Sequence, residues 1–200
     1  MISGNKTFLR RALAVFAVIA AGSTCAAETA GWNIEQLMQS LRQVTASKSR
    51  FVERKYLAVL NTPLESSGTL VYTAPGRLEK YTVLPKPETL LLEQDKLTIE
   101  YKERNQRRTL ALQDYPVVWA FVESIRSTLA GDLNTLSRFY RVALEGSEDK
   151  WHLTLRPADP TTQSLVREIH IGGSKNNVRS IEIIEVTGDR SVMTISAEGT

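Results

Sequence analysis

The chain has 200 residues, 42% of them hydrophobic and 24% charged, with 25 Lys and Arg against 22 Asp and Glu and one cysteine. That length suffices for one domain with a substantial core, and a lone thiol excludes an intrachain disulfide framework. The small positive excess is weak support for a nucleic-acid partner, and the first segment of the chain removes it.

Lys6, Arg10 and Arg11 precede the apolar run Ala12 to Ala21, and small residues continue to Ala26 and Ala27. This is the charge, core and cleavage order of a secretory signal peptide, predicted over residues 1–27 with cleavage near Ala27. The run is too short to cross a bilayer, which takes roughly 20 apolar residues. Cleavage removes three basic residues and no acidic ones, leaving 22 of each sign over residues 28–200. The expectation is therefore a neutral, exported, periplasmic domain over 28–200. Cys25 could instead be the acylated first residue of a lipoprotein, but such a site usually has an aliphatic residue three places earlier and Gly or Ala just before the cysteine, where this chain has Gly22 and Thr24.

Ile34, Leu37, Met38, Leu41 and Val44 fall on one face of a helix predicted over 32–47, starting near Asn33. Segments rich in Val, Ile, Leu, Thr and Tyr follow, broken by turn residues about every ten positions, as in an antiparallel meander. Strands are predicted at 50–60, 66–73, 77–84, 88–93, 96–102 and 107–112. Pro116 opens a helix to about Ala130, with Val118, Phe121, Val122, Ile125 and Leu129 on one face; Gly131 ends it and Asp132 caps a short third helix. Strands resume at 140–146, 151–157, 165–171, 178–187 and 191–196, the third and fourth parted by Gly172-Gly173. About eleven strands in one domain must curl, and the helices are the available cover for an apolar concave face.

The alternation within strands sets Gly68, Leu70 and Tyr72 on one face and Leu97, Ile99 and Tyr101 on one face, with mostly polar neighbours. One side of the sheet is thus dry, which fits an ordinary core or a cavity. Trp119 and Phe121 in the middle helix are core residues on the first reading, and on the second they line or close the mouth of a lipid pocket.

Catalytic candidates are scarce. His152 and His170 are the two histidines, both in predicted strands with apolar flanks, and the motifs HExxH, GxSxG and GxxxxGK are absent. Glu145, Glu148 and Asp149 sit around a predicted hairpin turn without the ligand alternation of a calcium loop. No catalytic residue, metal site or cofactor is expected. The run from Lys102 to Arg108 holds four cations, Lys102, Arg104, Arg107 and Arg108. It reads either as an exposed hairpin that blunts edge-to-edge aggregation or as a surface for anionic headgroups or an acidic partner.

In order and spacing, the amphipathic first helix, Arg50-Phe51-Val52-Glu53, Ser67-Gly68-Thr69-Leu70, Ala74-Pro75-Gly76-Arg77-Leu78, the stretch Leu90 to Tyr101 and the stretch Ile181 to Ile195 with Thr187-Gly188-Asp189 resemble the family of the periplasmic lipoprotein carrier LolA and its outer-membrane relative LolB. The resemblance implies an unclosed antiparallel β-barrel with a helical lid, whose apolar interior shelters the acyl chains of a lipoprotein or other lipid client. It further implies an inner-membrane exporter as donor, an outer-membrane acceptor and a non-enzymatic chaperone, expected to be a monomer with transient membrane contact. Leu70, Tyr72, Leu78, Leu97, Ile99, Tyr101, Trp119, Phe121, Val122, Ile125 and Leu129 are the expected acyl-chain lining. Two features depart from the family. Ala74 stands where the family places an arginine thought to latch the lid, with Arg77 nearby but not equivalent, and Thr200 follows soon after the last strand, which suggests a shorter, LolB-like body. The alternatives are a LolB-like acceptor anchored through Cys25, and a secreted hydrolase or polar-ligand module built on carboxylates such as Glu145 or Asp159.

Overall fold

The computed structural model describes residues 32–197, so the expected signal peptide and Cys25 lie outside the described residues. Helix α1 (Ile34–Arg42) starts at a capping box in which the Asn33 side chain accepts the Gln36 N–H at 2.9 Å and the Gln36 side chain accepts the Asn33 N–H at 3.1 Å. It ends five residues before the predicted limit. The β-branched pair Val44-Thr45 leads into extended backbone, where the Thr45 carbonyl accepts the Ala74 N–H at 2.8 Å.

Six strands follow, each antiparallel to the next: β1 (Ala46–Tyr56), β2 (Leu64–Thr73), β3 (Arg77–Leu84), β4 (Glu88–Glu93), β5 (Lys96–Tyr101) and β6 (Gln106–Ala111). Helices α2 (Pro116–Leu129) and α3 (Leu133–Phe139) then cross to the second half, β7 (Tyr140–Ser147), β8 (Lys150–Pro157), β9 (Val166–Ser174), β10 (Asn177–Glu185) and β11 (Arg190–Ala197). A one-turn helix, α4 (Pro160–Gln163), adds a fourth to the three helices predicted; Asp159 caps it by accepting the Thr162 N–H at 2.9 Å. Pairing of β1 with β11 joins the halves into one eleven-stranded sheet in the order β6-β5-β4-β3-β2-β1-β11-β10-β9-β8-β7. The edges β6 and β7 do not pair, so the barrel is unclosed.

Gly172 and Gly173 do not form the predicted turn. Both lie inside β9, and the chain reverses at Lys175, where φ is +52°. Gly173 is required by close approach: a Cβ there would stand 2.2 Å from the Trp151 ring. Trp151 is 2% exposed and donates its Nε1–H to the Lys175 carbonyl at 2.8 Å.

Apolar side chains are shared unevenly between the halves. Leu37, Met38 and Leu41 of α1, Ala120 of α2 and Leu136 of α3 pack on Trp151, Leu153, Leu155, Ile169 and Ile171 of β8 and β9. Each Leu, Ile or Met among them contributes roughly 1.5–3 kcal/mol when fully buried. Over the first half the buried cluster shrinks to Leu92, Leu112 and Val122. Helix α2 spans both groups, and the space it roofs over between them is unfilled.

Candidate functional site

That space is a cavity of about 340 Å³, within the roughly 300–1,000 Å³ usual for ligand pockets. Its floor is the concave face of the sheet. Tyr72, Leu78, Leu92 and Leu97 stand opposite one another on β2, β3, β4 and β5, a continuous apolar row across four strands. From the other half come Ile171 of β9, Ile181 and Ile183 of β10, and Met193 and Ile195 of β11. The roof is Phe121, Val122, Ile125 and Leu129 of α2, with Leu41 of α1 at its border. Period-two alternation on the strands and the i, i+4 spacing of α2 turn these side chains toward one volume.

Of the expected lining, Leu70, Tyr72, Leu78, Leu97, Phe121, Val122, Ile125 and Leu129 border this cavity. Three side chains stand elsewhere. Ile99 and Tyr101 follow Leu97 on the same face of β5 but lie farther along, opposite Arg108 and Gln106 of β6. Trp119 donates its Nε1–H to Glu123 at 3.1 Å and packs its ring 5.8 Å from that of Phe139, outside the cavity. The contributions of β4, β9, β10 and β11 were not singled out from the sequence, although Ile181, Ile183, Met193 and Ile195 carry the same alternation that marked β2 and β5.

Polar side chains also reach the cavity, Ser47, Ser49 and Ser191 among them, and one charged pair stands within the strand rows of the floor. Lys80 stands between Leu70 and Leu90 in the next row, where the alternation calls for another aliphatic residue. Its Nζ lies 2.5 Å from Glu53 Oε2 and 4.9 Å from the centre of the Phe51 ring. Glu53 also accepts from Ser191 Oγ at 2.6 Å and Ser66 Oγ at 3.4 Å. Burial of the Glu53 carboxyl raises its pKa, but the Lys80 charge and the three hydrogen bonds outweigh burial and hold it below the ordinary glutamate value.

The roof is tied to the sheet by a second polar group. Glu123 of α2, 2% exposed, accepts from Trp119 Nε1, from Ser127 Oγ at 3.0 Å and from Arg126. Arg126 in turn donates Nη1–H to the Gln94 carbonyl in the β4–β5 turn at 2.7 Å. Its methylenes lie over Gly76 in the β2–β3 turn, where a Cβ would approach Arg126 Cδ to 2.7 Å. A cation therefore does join helix and turns despite Ala74, but it comes from the helix. Arg77 is engaged with Glu79 and Glu93 at 2.9 and 2.5 Å.

The remaining candidates lie away from the cavity. His170 sits between Glu168 at 3.2 Å and Glu182 at 3.4 Å, with the His152 ring 4.9 Å away, on the face opposite the inward Ile169 and Ile171. Among the described residues no group of three or more His, Cys, Asp or Glu is arranged to hold a metal ion. Glu145 is exposed on β7, and Asp159 is spent on the α4 cap. Lys102 and Arg104 occupy a 3-10 turn, and Arg107 and Arg108 stand on the edge strand β6; all four are exposed, and Arg107 Nε lies 3.3 Å from Glu100. No helix among the described residues is long and apolar enough to cross a membrane.

No curated protein matches the chain. Among solved structures, a LolA superfamily protein from Nitrosomonas europaea is 11% identical with a TM-score of 0.41, the match covering 84% of this chain and 93% of that one. An outer membrane lipoprotein-sorting protein domain from Vibrio parahaemolyticus is 10% identical with a TM-score of 0.41, covering 82% and 88%. A MucA/MucB complex from Pseudomonas aeruginosa contains a chain that is 14% identical with a TM-score of 0.41, covering 82% and 54%. The model of the family described as outer membrane lipoprotein carrier protein LolA-like matches residues 26–199, nearly the whole chain. The chain belongs to the LolA-like family of outer membrane lipoprotein carrier proteins.

Proposed function

We propose that this protein is a periplasmic carrier that shields the acyl chains of a lipoprotein or related lipid client on its way from an inner-membrane exporter to an outer-membrane acceptor. The observation that carries the reading is the largely apolar cavity of about 340 Å³ between α2 and the concave sheet. Burial of each methylene is worth about 0.8 kcal/mol, so acyl chains left in water would drive their owner to aggregate or return to a membrane. A floor mostly of Leu, Ile and Met offers that burial through adaptable aliphatic contacts, which lets chains of different length enter and leave. In this reading the domain spans 28–200 after removal of residues 1–27, acts without enzymatic activity, and uses the basic turn at Lys102, Arg104, Arg107 and Arg108 for transient contact with anionic headgroups.

The test is lipid capture. Protein purified from its native periplasm and extracted for lipid analysis is expected to carry acylated material, and the delipidated protein to take up a fluorescent diacylated peptide in a saturable manner. Absence of both bound lipid and uptake would overturn the carrier reading.

A further inference from the structure

We propose that Lys80, oriented by Glu53 inside the cavity, is a docking point for the neutral carbonyl oxygen of an acyl ester or amide, so that the carrier selects esterified or amide-linked acyl chains over free fatty acids. The inference rests on the acyl-cavity reading above and adds a polar subsite to it. An ion pair on an apolar floor is poorly justified by stability, because desolvating the two charges offsets much of their attraction and a hydrophobic pair of similar volume often does as well. Lys80 stands between Leu70 and Leu90, beside the apolar row of Tyr72, Leu78, Leu92 and Leu97, and both it and Glu53 border the cavity.

The hydrogen-bond inventory of the pair is lopsided. Glu53 is well supplied, with Lys80 and Ser66 on one oxygen and Ser191 on the other. An ammonium group has three donors. Among the described residues Glu53 is the one acceptor recorded for Lys80 Nζ, and Phe51 offers a ring face at 4.9 Å rather than an acceptor. The Lys80 side chain is 23% exposed, which leaves donors available to a guest's oxygen. The charge of the site chooses between oxygens. Glu53 already cancels the unit charge of Lys80, so a carboxylate would bring an uncompensated negative charge into an apolar space, whereas a carbonyl dipole brings none.

Three fluorescent probes of equal chain length separate the possibilities: dodecylpyrene, pyrene-dodecanoic acid and its methyl ester, each titrated into the full chain at neutral pH. Wild-type protein is expected to bind the ester more tightly than the acid. Lys80→Met should weaken the ester by about tenfold relative to dodecylpyrene, and Lys80→Arg should restore part of the loss. Glu53→Gln keeps the shape and leaves Lys80 uncompensated, so it should shift preference toward the acid by about tenfold relative to the ester. The double variant Lys80→Met/Glu53→Gln, which leaves no unpaired charge, serves if Lys80→Met alone does not fold, and urea midpoints monitor folding throughout.

Equal loss of all three probes in folded Lys80→Met would make the pair a purely structural tie between β1 and β3 and overturn the proposal while sparing the cavity. Tighter wild-type binding of the acid than of the ester, abolished in Lys80→Met, would overturn the choice of a neutral carbonyl and assign the site to free fatty acids. Failure of wild-type protein to bind any probe would overturn the cavity reading itself and this inference with it.

Discussion

Arg126 reaches from α2 to the Gln94 carbonyl, 2.7 Å away in the turn between β4 and β5. This contact fastens the helical roof to the sheet half that has the smaller packed core, where apolar contact alone holds α2 least. Arg126 also lies 3.9 Å from Asp95 in the same turn and pairs with the buried Glu123, so one guanidinium both compensates the helix carboxylate and grips the sheet. Removal of one member of a fully buried pair costs about 3–5 kcal/mol. The Arg126 side chain is 20% exposed, and Trp119 and Ser127 still serve Glu123, so Arg126→Ala is expected to cost about 2–3 kcal/mol. A lower urea midpoint and faster release of a bound acyl probe in stopped-flow are the expected readings; unchanged release would show that the roof does not depend on this contact.

Gly173→Ala tests the packed half of the sheet. The new methyl would meet the Trp151 ring at 2.2 Å and the Asn177 carbonyl at 2.4 Å, and neither group can withdraw without moving a strand. A loss of about 2–3 kcal/mol is expected from overpacking. It should appear in thermal unfolding together with a weakened near-UV dichroism band from Trp151. Gly188→Ala is a useful contrast, since nothing lies within 4 Å of a Cβ there, although its φ of +91° adds local strain.

Leu78 stands in the apolar row of the cavity floor between Tyr72 and Leu92 and is half-buried. Leu78→Glu should lower affinity for an acylated probe by about tenfold or more, because a carboxylate must be desolvated when hydrocarbon fills the space. The unliganded fold should lose little, since the new carboxylate still finds solvent in the vacant cavity. Isothermal titration beside a urea melt checks the separation, and equal damage to both would place Leu78 in the structural core.

The depressed pKa of Glu53 sets a direction for acid stability. A carboxyl whose folded pKa lies below its unfolded value of about 4.5 contributes stability above that value and loses it as pH falls through the folded pKa. Glu53→Gln should therefore be less stable than wild type at neutral pH, and the gap should close as pH drops below about 4.5. Urea midpoints from pH 7 to pH 3 read this directly. A gap independent of pH would mean that the carboxylate charge plays no part.

The basic turn separates edge protection from membrane contact. Replacement of Lys102, Arg104, Arg107 and Arg108 together by Gln should leave the unfolding midpoint nearly unchanged, since all four are exposed. Association with vesicles containing anionic lipid should fall by at least tenfold, at about 1 kcal/mol per well-placed cation, and wild-type association should weaken with salt. Unchanged vesicle association with increased aggregation would assign the turn to protection of the β6 edge alone.

The order of elements and the dry face of β2 and β5 were legible in the sequence because they follow from local rules: the two-residue period, a capping Asn33, Pro116 at a helix start and turn residues between strands. The same rules put Leu70, Tyr72 and the α2 stripe on apolar faces, and the resemblance to the family added Leu78 and the expectation that these faces line a cavity. Three decisions belonged to the tertiary structure. Pairing of β1 with β11 brings Ile181, Ile183, Met193 and Ile195 beneath the same roof as Tyr72, from more than a hundred residues away in sequence. Gly172 and Gly173 look like a turn but are strand residues: a Cβ at Gly173 would meet the Trp151 ring and one at Gly172 would meet Ser180 Oγ. Lys80 and Glu53 each look like an exposed strand charge when read singly, and only the register across β2 turns them toward each other inside the cavity. Periodicity assigns a side chain to a face, whereas the curvature of the sheet and the seating of its helices decide whether that face is filled, vacant or charged.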